Sequence, residues 1–356
     1  MYYILLFALL LTAIIYSSSI VIKCGTAKIS TDKYISFIIY CVLIVISAFR
    51  FEVGTDYDTY REAIVLFKTG YNPSWLNYEP GFIWLNKILA NYTEHGQLLI
   101  ITTAIITLTL FFIAINKHSV NSLHSWFLFF SLYLYFSSFN IIRQFIAIGI
   151  FLVFINSFLE RNLKQCLCVI IIASLFHTTA LLLIPFYFFL NIKMRKRNIA
   201  AIFLFSIVGI LLINRILYRF FLLFPKYALY KEAKGGGSAY NICFLLLTLA
   251  ALIYIKEKHW NIKKDSKKLD FYISSCVFAL IITMFSFRVV FFARASFYFF
   301  GILLFSVPYC WKTMKKTLEG LIYKYGSIVF SILIFIHYLR NNVAGVEPYK
   351  LWDGIH

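Results

Sequence analysis

Acidic residues are scarce in this chain of 356 residues: fifteen aspartates and glutamates stand against 34 lysines and arginines. Charged residues of both signs make up only 14% of the sequence, whereas 61% of the residues are hydrophobic. A soluble domain of this size could not bury so much apolar surface, so a water-soluble enzyme is excluded. The mean hydropathy of +0.81 predicts a protein whose main solvent is lipid.

Other absences narrow the class further. The seven cysteines lie in or beside apolar segments and none lies in a predicted outer loop, so we expect no disulfide framework. The apolar run from Tyr2 to Ile22 lacks a basic start and a small-residue cleavage site, which predicts a first membrane span rather than a signal peptide. No strand precedes the run Gly235 to Ser238, which predicts a flexible loop and not a nucleotide-phosphate site. We therefore predict no cofactor.

Hydrophobic segments recur along the whole chain, and the loops between them alternate in charge. Lysine-rich loops mark the cytoplasmic side of a membrane protein, and their dispersed charge accounts for the formal charge of +19 without a nucleic-acid partner. Ten segments are predicted to cross the bilayer, with both chain ends outside: 2–22, 34–49, 97–115, 124–138, 141–159, 198–214, 240–255, 270–287, 291–311 and 321–339.

One apolar segment is too short for two crossings. Lys164 and Lys193 enclose 28 residues, which span about 42 Å as a helix, whereas two crossings need about 60 Å. Both ends are basic, so both are predicted to lie on the cytoplasmic side. We therefore predict a re-entrant hairpin of helices 165–175 and 178–190 that turns near His177.

The predicted fold is thus an all-α polytopic integral membrane protein, with residues 1–356 as a single transmembrane domain. Its outer face includes a loop at 50–96, which carries a short amphipathic helix, and a second loop at 215–239. Most lysines fall on the inner side, whereas most arginines fall on or near the outer face. Arginine presents a fixed fork of donors that matches phosphate oxygens, so we expect the outer arginines to bind an anion.

The first outer loop is rich in acids. Thr55 is placed to cap a short helix with Asp56 and Asp58 in its first turn, and Asp56 and Tyr60 would share one face of that helix. A capped helix on the membrane surface is one interpretation; the alternative is a D-x-D metal pair, and we predict no metal. Farther along this loop, Glu79 precedes another helix, either as a simple helix-start acid or as a general base.

Two arginines and a histidine are predicted within apolar segments. Arg143 and Arg294 each need a partner, because an unpaired guanidinium inside a span costs at least about 2.5 kcal/mol. That partner is either an outer-loop carboxylate or an anionic ligand. His177 lies beside two threonines at a helix break, either as a hydrogen-bonded core residue or as a proton acceptor.

Taken in order, these motifs resemble the EpsG/Wzy-like polysaccharide polymerases, the O-antigen polymerase group. The resemblance covers nearly the whole chain and is carried by five ordered motifs and a closing tripeptide: Arg50 with Gly54-Thr55-Asp56-Tyr57 and Tyr60; Glu79-Pro80-Gly81-Phe82; Ile142-Arg143-Gln144 with Ala147; Phe176-His177-Thr178 with Ala180; Ala293-Arg294 with Tyr298-Phe299; and Glu347-Pro348-Tyr349.

The resemblance implies a glycosyltransferase in the bacterial inner membrane with its active site facing the periplasm. It would join oligosaccharide repeat units carried on undecaprenyl diphosphate into lipopolysaccharide or capsule-type chains, with membrane lipid around it and a chain-length regulator and a flippase as further partners. The resemblance implies three kinds of role for residues of this chain. The base would be His177, Asp56 or Glu79. The diphosphate would be clamped by Arg143 and Arg294, with Arg50, Arg288, Arg215 and Arg219 as weaker candidates, and the sugar would be positioned by Glu79, Tyr57, Tyr60, Gln144 and Tyr298.

Other functions stay open. A lipid-linked oligosaccharide flippase would also need outward arginines, but it would be expected to show two related halves, and the sequence shows no internal repeat. An O-antigen ligase or another lipid-phosphate-dependent glycosyltransferase is close in chemistry; the ligase would favour a larger late outer loop, which the sequence does not show. A membrane acyltransferase would need a second polar partner for His177 deep in the bundle.

Overall fold

The computed structural model describes residues 31–69, 78–93, 95–223, 238–258 and 266–353. Helices dominate these ranges. The chain divides into two compact units. The first unit comprises residues 1–158, 162–181 and 331–356, and the second comprises residues 159–161 and 182–330.

The first unit holds most of the helices that precede residue 182. They run as follows: α1 Thr31–Ala48, α2 Tyr57–Thr69, α3 Pro80–Ala90, α4 Gln97–His118, α5 Ser122–Ser131, α6 Leu134–Ser137, α7 Ile142–Val153, α8 Ile155–Leu159 and α9 Leu163–Ser174. α4 packs along α7 and α1. The rings of Phe111 and Phe129 lie 4.6 Å apart, and that of Phe145 stacks on Phe111 at 6.0 Å. These fully buried rings build an apolar core.

The second unit holds a second set of packed helices. After a 3₁₀ turn at Thr178–Leu182, the order is α10 Leu183–Phe189, α11 Lys196–Leu223, α12 Ala239–Lys258, α13 Ser266–Phe285, α14 Val290–Thr313 and α15 Leu318–Arg340, whose end from residue 331 belongs to the first unit. α13 packs between α12 and α14. The ring centroids of Phe186, Phe278 and Phe299 lie 4.9 to 5.3 Å apart.

Within the described ranges, six helices are long and apolar enough to cross a membrane: α4, α11 up to Ile213, α12, α13, α14 and α15. The prediction of an all-α polytopic membrane protein is therefore confirmed as a fold class. The number of ten crossings stays a prediction, and the first predicted span, 2–22, lies outside the described residues.

Two predicted spans are divided in the structure. The span predicted at 124–138 breaks into α5 and α6 at Leu132 and Tyr133, where Tyr133 takes a left-handed φ of 64°. No glycine or proline marks this break, so the pattern of apolar residues could not show it. The ring of Tyr133 instead packs against Phe136 and Tyr338, with centroids 4.9 and 5.3 Å apart. The span predicted at 141–159 likewise divides into α7 and α8.

The region around residue 215 differs from its prediction. The span expected to end at 214 continues as helix to Leu223, so Arg215 and Arg219 lie on a helix and not in a loop. The two arginines had suggested that the helix ends before residue 215. Apolar residues between the arginines continue the helical pattern, so the helix does not end there. The rest of the predicted 215–239 loop lies largely outside the described residues.

The predicted hairpin segment contains two short helical stretches. α9 ends at Ser174, and the chain becomes helical again at Thr178. His177 lies in the short link between them, with its backbone N–H donating to the carbonyl of Ala173 at 3.0 Å. The break near His177 is confirmed, whereas the re-entrant course through the bilayer stays a prediction.

A segment close to residue 350 runs beside the start of the first outer loop. The backbone N–H of Phe51 donates to the carbonyl of Lys350 at 2.9 Å, and that of Trp352 donates to the carbonyl of Phe49 at 2.8 Å. The rings of Phe49 and Trp352 also stack, 6.5 Å apart. This antiparallel pairing fixes where the loop leaves α1.

Candidate functional site

The site is built around Glu79, which lies immediately before α3. Its backbone is extended, with φ −72° and ψ 153°, and Pro80 follows as the first helical residue, a favoured position for proline. The Glu79 side chain makes no capping hydrogen bond to its own helix. Its carboxylate instead faces residues from α7 and from the link after α9. Because Glu79 is only 7% exposed, its charge needs those partners.

The Glu79 carboxylate joins two side chains that lie far from it in sequence. Its Oε2 accepts a hydrogen bond from a terminal nitrogen of Arg143, which forms an ion pair. Its Oε1 accepts from Nδ1 of His177 at 2.8 Å and from the backbone N–H of Thr178 at 3.1 Å. Both carboxylate oxygens therefore accept hydrogen bonds, Oε2 from Arg143 and Oε1 from His177 and Thr178.

His177 and Arg143 determine the protonation state of Glu79, and Glu79 in turn determines which nitrogen of His177 carries the proton. Burial would raise the pKa of Glu79, but the hydrogen bond from His177 and the charge of Arg143 outweigh it and lower the pKa from 4.5 to about 2. Glu79 is thus ionised near neutral pH and can only accept, so Nδ1 of His177 must donate. In neutral His177 the lone pair then lies on Nε2. Within the described part of the chain, Nε2 makes no hydrogen bond.

Aromatic side chains hold Arg143 in place. Its guanidinium lies 4.5 Å from the ring centroid of Tyr78 and 5.9 Å from that of Phe82, distances typical of cation–π contacts. Tyr60 is a further hydrogen-bonding partner. The rings of Tyr60 and Tyr78 stack at 6.3 Å. Burial raises the pKa of Tyr78, so its phenol stays neutral beside the arginine. The Arg143 side chain keeps 21% of its surface exposed.

A close backbone contact sets the distance between Glu79 and His177. The N–H of Gly81 donates to the carbonyl of Leu175 at 2.8 Å. A Cβ on Gly81 would lie 2.8 Å from that oxygen, which is too close for any side chain. The start of α3 can therefore approach the end of α9 only because residue 81 is glycine.

Arg50 is enclosed by its surroundings. It is 2% exposed, and its guanidinium donates to the carbonyl of Phe139 at 2.9 Å and to the hydroxyl and carbonyl of Ser47 at 3.2 and 3.3 Å. It also lies 4.4 Å from the Phe139 ring centroid. These contacts join α1 to the turn before α7. Its predicted part in diphosphate binding stays a prediction, and the geometry favours a structural role.

The other predicted residues of the first outer loop divide by burial. Tyr57 is buried, and its hydroxyl donates to the side-chain oxygen of Gln97 at 2.5 Å. Gln144 is 1% exposed. Asp56 is half-buried and precedes α2, accepting a hydrogen bond from the Thr55 hydroxyl at 3.2 Å. The prediction that Asp56 and Asp58 both lie in the first turn was wrong for Asp56, because α2 begins only at Tyr57 and the Thr55 hydroxyl bonds to the Asp56 carboxylate before it. No cluster of three His, Cys, Asp or Glu residues suited to a metal ion occurs in the described ranges.

The remaining predicted arginines belong to the second unit. Arg215 and Arg219 are exposed on α11, Arg288 is exposed just before α14, and Arg294 is exposed in its second turn. Tyr298, one turn after Arg294, is fully buried. The structure therefore brings together Glu79, Arg143, His177 and Tyr60, whereas the joint clamp of Arg143 and Arg294 stays a prediction.

Two contacts in the site were not assigned from the sequence. Tyr78 covers the guanidinium of Arg143, and the backbone N–H of Thr178 donates to Glu79. Both residues lie next to predicted site residues, so their positions in the motifs were the available signal. Which aromatic ring covers which arginine depends on packing between elements 65 residues apart, which no local pattern encodes.

The comparisons with known proteins identify a family. No curated protein and no solved structure matches this chain significantly. The family model described as EpsG family matches residues 33–351, which is most of the chain and includes every residue of the site. The resemblance found in the ordered motifs is therefore confirmed, and the chain belongs to the EpsG family.

Proposed function

We propose that this protein is a polysaccharide polymerase that transfers a growing oligosaccharide from a lipid diphosphate to a hydroxyl of the next repeat unit. Family membership supports a polymerase of the glycosyltransferase kind. The observation that carries the chemistry is the Glu79 carboxylate, which holds His177 in one tautomer and Arg143 in one orientation. This combines an oriented base with a fixed cation at a partly exposed site.

The transfer forms one bond and breaks another. The oxygen of the acceptor hydroxyl attacks the anomeric carbon of the donor sugar, and the bond from that carbon to the diphosphate oxygen breaks. The electron pair of that bond leaves with the lipid diphosphate. The hydroxyl proton passes to Nε2 of His177, the ring nitrogen with the available lone pair, and is later released to water.

Glu79 serves this step as a positioning residue. A carboxylate with a pKa of about 2 is a weak base near neutral pH, so it is poorly suited to take the proton itself. It is well suited to hold Nδ1–H and to stabilise the imidazolium that forms when Nε2 is protonated. Of the three residues predicted as the base, we therefore choose His177, and Glu79 orients its ring. Among the described residues, the hydrogen bond to the Asp56 side chain comes from Thr55 and not from His177 or Arg143.

The leaving diphosphate needs positive charge near the bond that breaks. Arg143 is partly neutralised by Glu79, so we assign it one diphosphate contact through its exposed edge and a second role in ordering the site. The remaining positive charge is assigned in this proposal to the other predicted arginines, Arg294 and Arg288 first, then Arg215 and Arg219, and that assignment stays a prediction. The lipid carrier in this proposal is undecaprenyl diphosphate in the bacterial inner membrane. The proposed site lies on the periplasmic side of a protein with about ten crossings.

The decisive experiment supplies purified protein with lipid-linked repeat units as its sole substrate. We expect products with a ladder of repeat numbers, formed without nucleotide sugar. Transport of the lipid across a vesicle membrane without new glycosidic bonds would support the flippase. Transfer to an added lipid A acceptor in preference to another repeat unit would support the ligase. Either result would overturn the proposal.

A further inference from the structure

The second unit contains a cavity that the proposed polymerase chemistry does not use. Its volume is about 910 Å³, and it lies where α11 begins, α12 ends and α13 begins. Five basic side chains line it: Arg161, Lys193, Arg195, Lys196 and Lys256. The segments 191–198 and 256–268 are lysine-rich in sequence, so positive-inside reasoning places this cavity on the cytoplasmic side.

Two of the five cations are neutralised within the cavity wall. Lys196 forms an ion pair with Glu257 at 2.6 Å. Lys256 pairs with Asp270 at 2.6 Å and also donates to the carbonyl of Met194 at 3.2 Å. Glu257 and Asp270 are the acids among the lining residues. The wall therefore has a built internal structure and an excess of positive charge.

The other three cations keep their charge for a ligand. Arg161, Lys193 and Arg195 are exposed, and none of them has an ion-pair partner among the residues that the structure describes. Three unpaired positive charges around one cavity repel each other, and an anion placed between them would relieve that repulsion. The first turn of α11, whose backbone N–H groups have no acceptor within the helix, lines the same cavity and adds to its affinity for an anion.

The cavity also has an apolar wall. Ile192, Met194, Ile199 and Ile253 line it beside the cations. A small inorganic anion would gain nothing from these side chains. A phosphate attached to glycerol and the first carbons of an acyl chain would contact both the cations and the aliphatic wall. Helices α11, α12 and α13 are long and apolar enough to cross a membrane, so membrane lipid would lie close to the cavity.

We propose that this cavity binds the phosphate headgroup of an anionic phospholipid from the cytoplasmic leaflet. The site is distinct from Glu79, Arg143 and His177 in sequence and in structural unit. A bound lipid would join the starts of α11 and α13 to the end of α12 and stabilise the second unit. The proposal does not depend on which reaction the protein catalyses.

The test uses the purified full-length chain in detergent, stripped of lipid. Phosphatidylglycerol should raise the thermal unfolding temperature and remain bound in native mass spectrometry, whereas phosphatidylcholine should do neither. The double variant Lys193→Gln/Arg195→Gln should weaken phosphatidylglycerol binding about 25-fold, since each cation near a membrane contributes roughly a factor of five. Arg161→Gln alone should weaken it about fivefold.

The matched control is Lys315→Gln/Lys316→Gln, which removes two exposed charges from a lysine-rich loop outside the cavity. It should bind phosphatidylglycerol as the unaltered protein does. Equal loss in the control, or equal binding of phosphatidylcholine, would overturn the proposal. Stabilisation by inorganic phosphate at the same concentration as strong as that by phosphatidylglycerol would also overturn it, because the apolar wall would then have no part in recognition.

Discussion

Nδ1 of His177 and Oε1 of Glu79 lie 2.8 Å apart although 98 positions separate the two residues in the chain. The same carboxylate pairs with Arg143 through its other oxygen. One acidic side chain thus fixes both a base and a cation.

Replacing His177 with alanine should remove the proton acceptor while leaving Arg143 paired with Glu79. We expect the rate of polymerisation to fall about 10² to 10⁴-fold, the usual contribution of a general base. The measurement is the repeat-number ladder made by purified protein from lipid-linked units. His95→Ala is the control, because His95 is an exposed histidine that lies outside the site. Full activity of His177→Ala would remove the base from the mechanism.

Glu79→Gln should change the pH dependence of stability. The lowered pKa of Glu79 means that its ion pair stabilises the fold fully above pH 4.5, and that this stability is lost as the pH falls from 4.5 to about 2. The glutamine variant should lack this contribution, which is on the order of 3 kcal/mol. Thermal unfolding in detergent at a series of pH values gives the difference between the two proteins. It should be largest near pH 5 and should shrink as the pH falls from 4.5 to about 2.

The control for this comparison is Glu62→Gln, which alters an exposed acid on α2. Its unfolding temperature should follow that of the unaltered protein at every pH. A difference between Glu79→Gln and the unaltered protein that stayed the same down to pH 2 would show that the ionisation of Glu79 contributes nothing to stability.

Gly81→Ala should separate α3 from the end of α9. The added methyl group would lie 2.8 Å from the carbonyl oxygen of Leu175, and backbone cannot move aside as a flexible side chain can. We expect the hydrogen bond between His177 and Glu79 to lengthen and activity to fall at least about tenfold, since small displacements of reacting groups are costly. Gly326→Ala is the control, because its nearest new contact would be at 3.9 Å. Similar activity of the two variants would refute the positioning role.

Two arginines should respond in opposite ways to replacement by glutamine. Arg50→Gln should destabilise the protein by about 2 kcal/mol, because buried carbonyl oxygens of Ser47 and Phe139 lose their donor. Arg294→Gln should lower the unfolding temperature less than Arg50→Gln does and should lower polymerisation about 10² to 10³-fold, as expected for a residue that neutralises a leaving group. Arg340→Gln, at an exposed position, should alter neither quantity. A stability loss in Arg294→Gln that accounts for its lost activity would contradict the diphosphate role.

The sequence predicted the parts of this site better than their connections. Arg143 lies in an apolar segment and had to find a partner, and the outer-loop acid left open as an alternative proves to be Glu79. The helix break at His177 followed from a segment too short to cross twice. That one carboxylate serves both residues could not be predicted, because the contact joins elements whose order in space is set by packing and not by any local period.

Helix ends show the same limit. The basic residues Arg215 and Arg219 suggested a loop, but the apolar residues between them let α11 continue to Leu223. Tyr133 breaks a helix without any residue type that usually does so, because its ring is held by partners that include Tyr338, some 200 positions later. Hydropathy identifies which segments are helical and apolar, whereas long-range contacts decide where each one stops.

The pairing of the first outer loop with the segment near residue 350 has a consequence for biogenesis. The ribosome must add almost three hundred residues after Glu52 before Lys350 exists to form their ion pair. Contacts so distant in sequence form slowly, since a long loop must close first. The loop ahead of α2 therefore reaches its final register only after the helices in between have been synthesised, so it completes its folding later than the first helices enter the membrane.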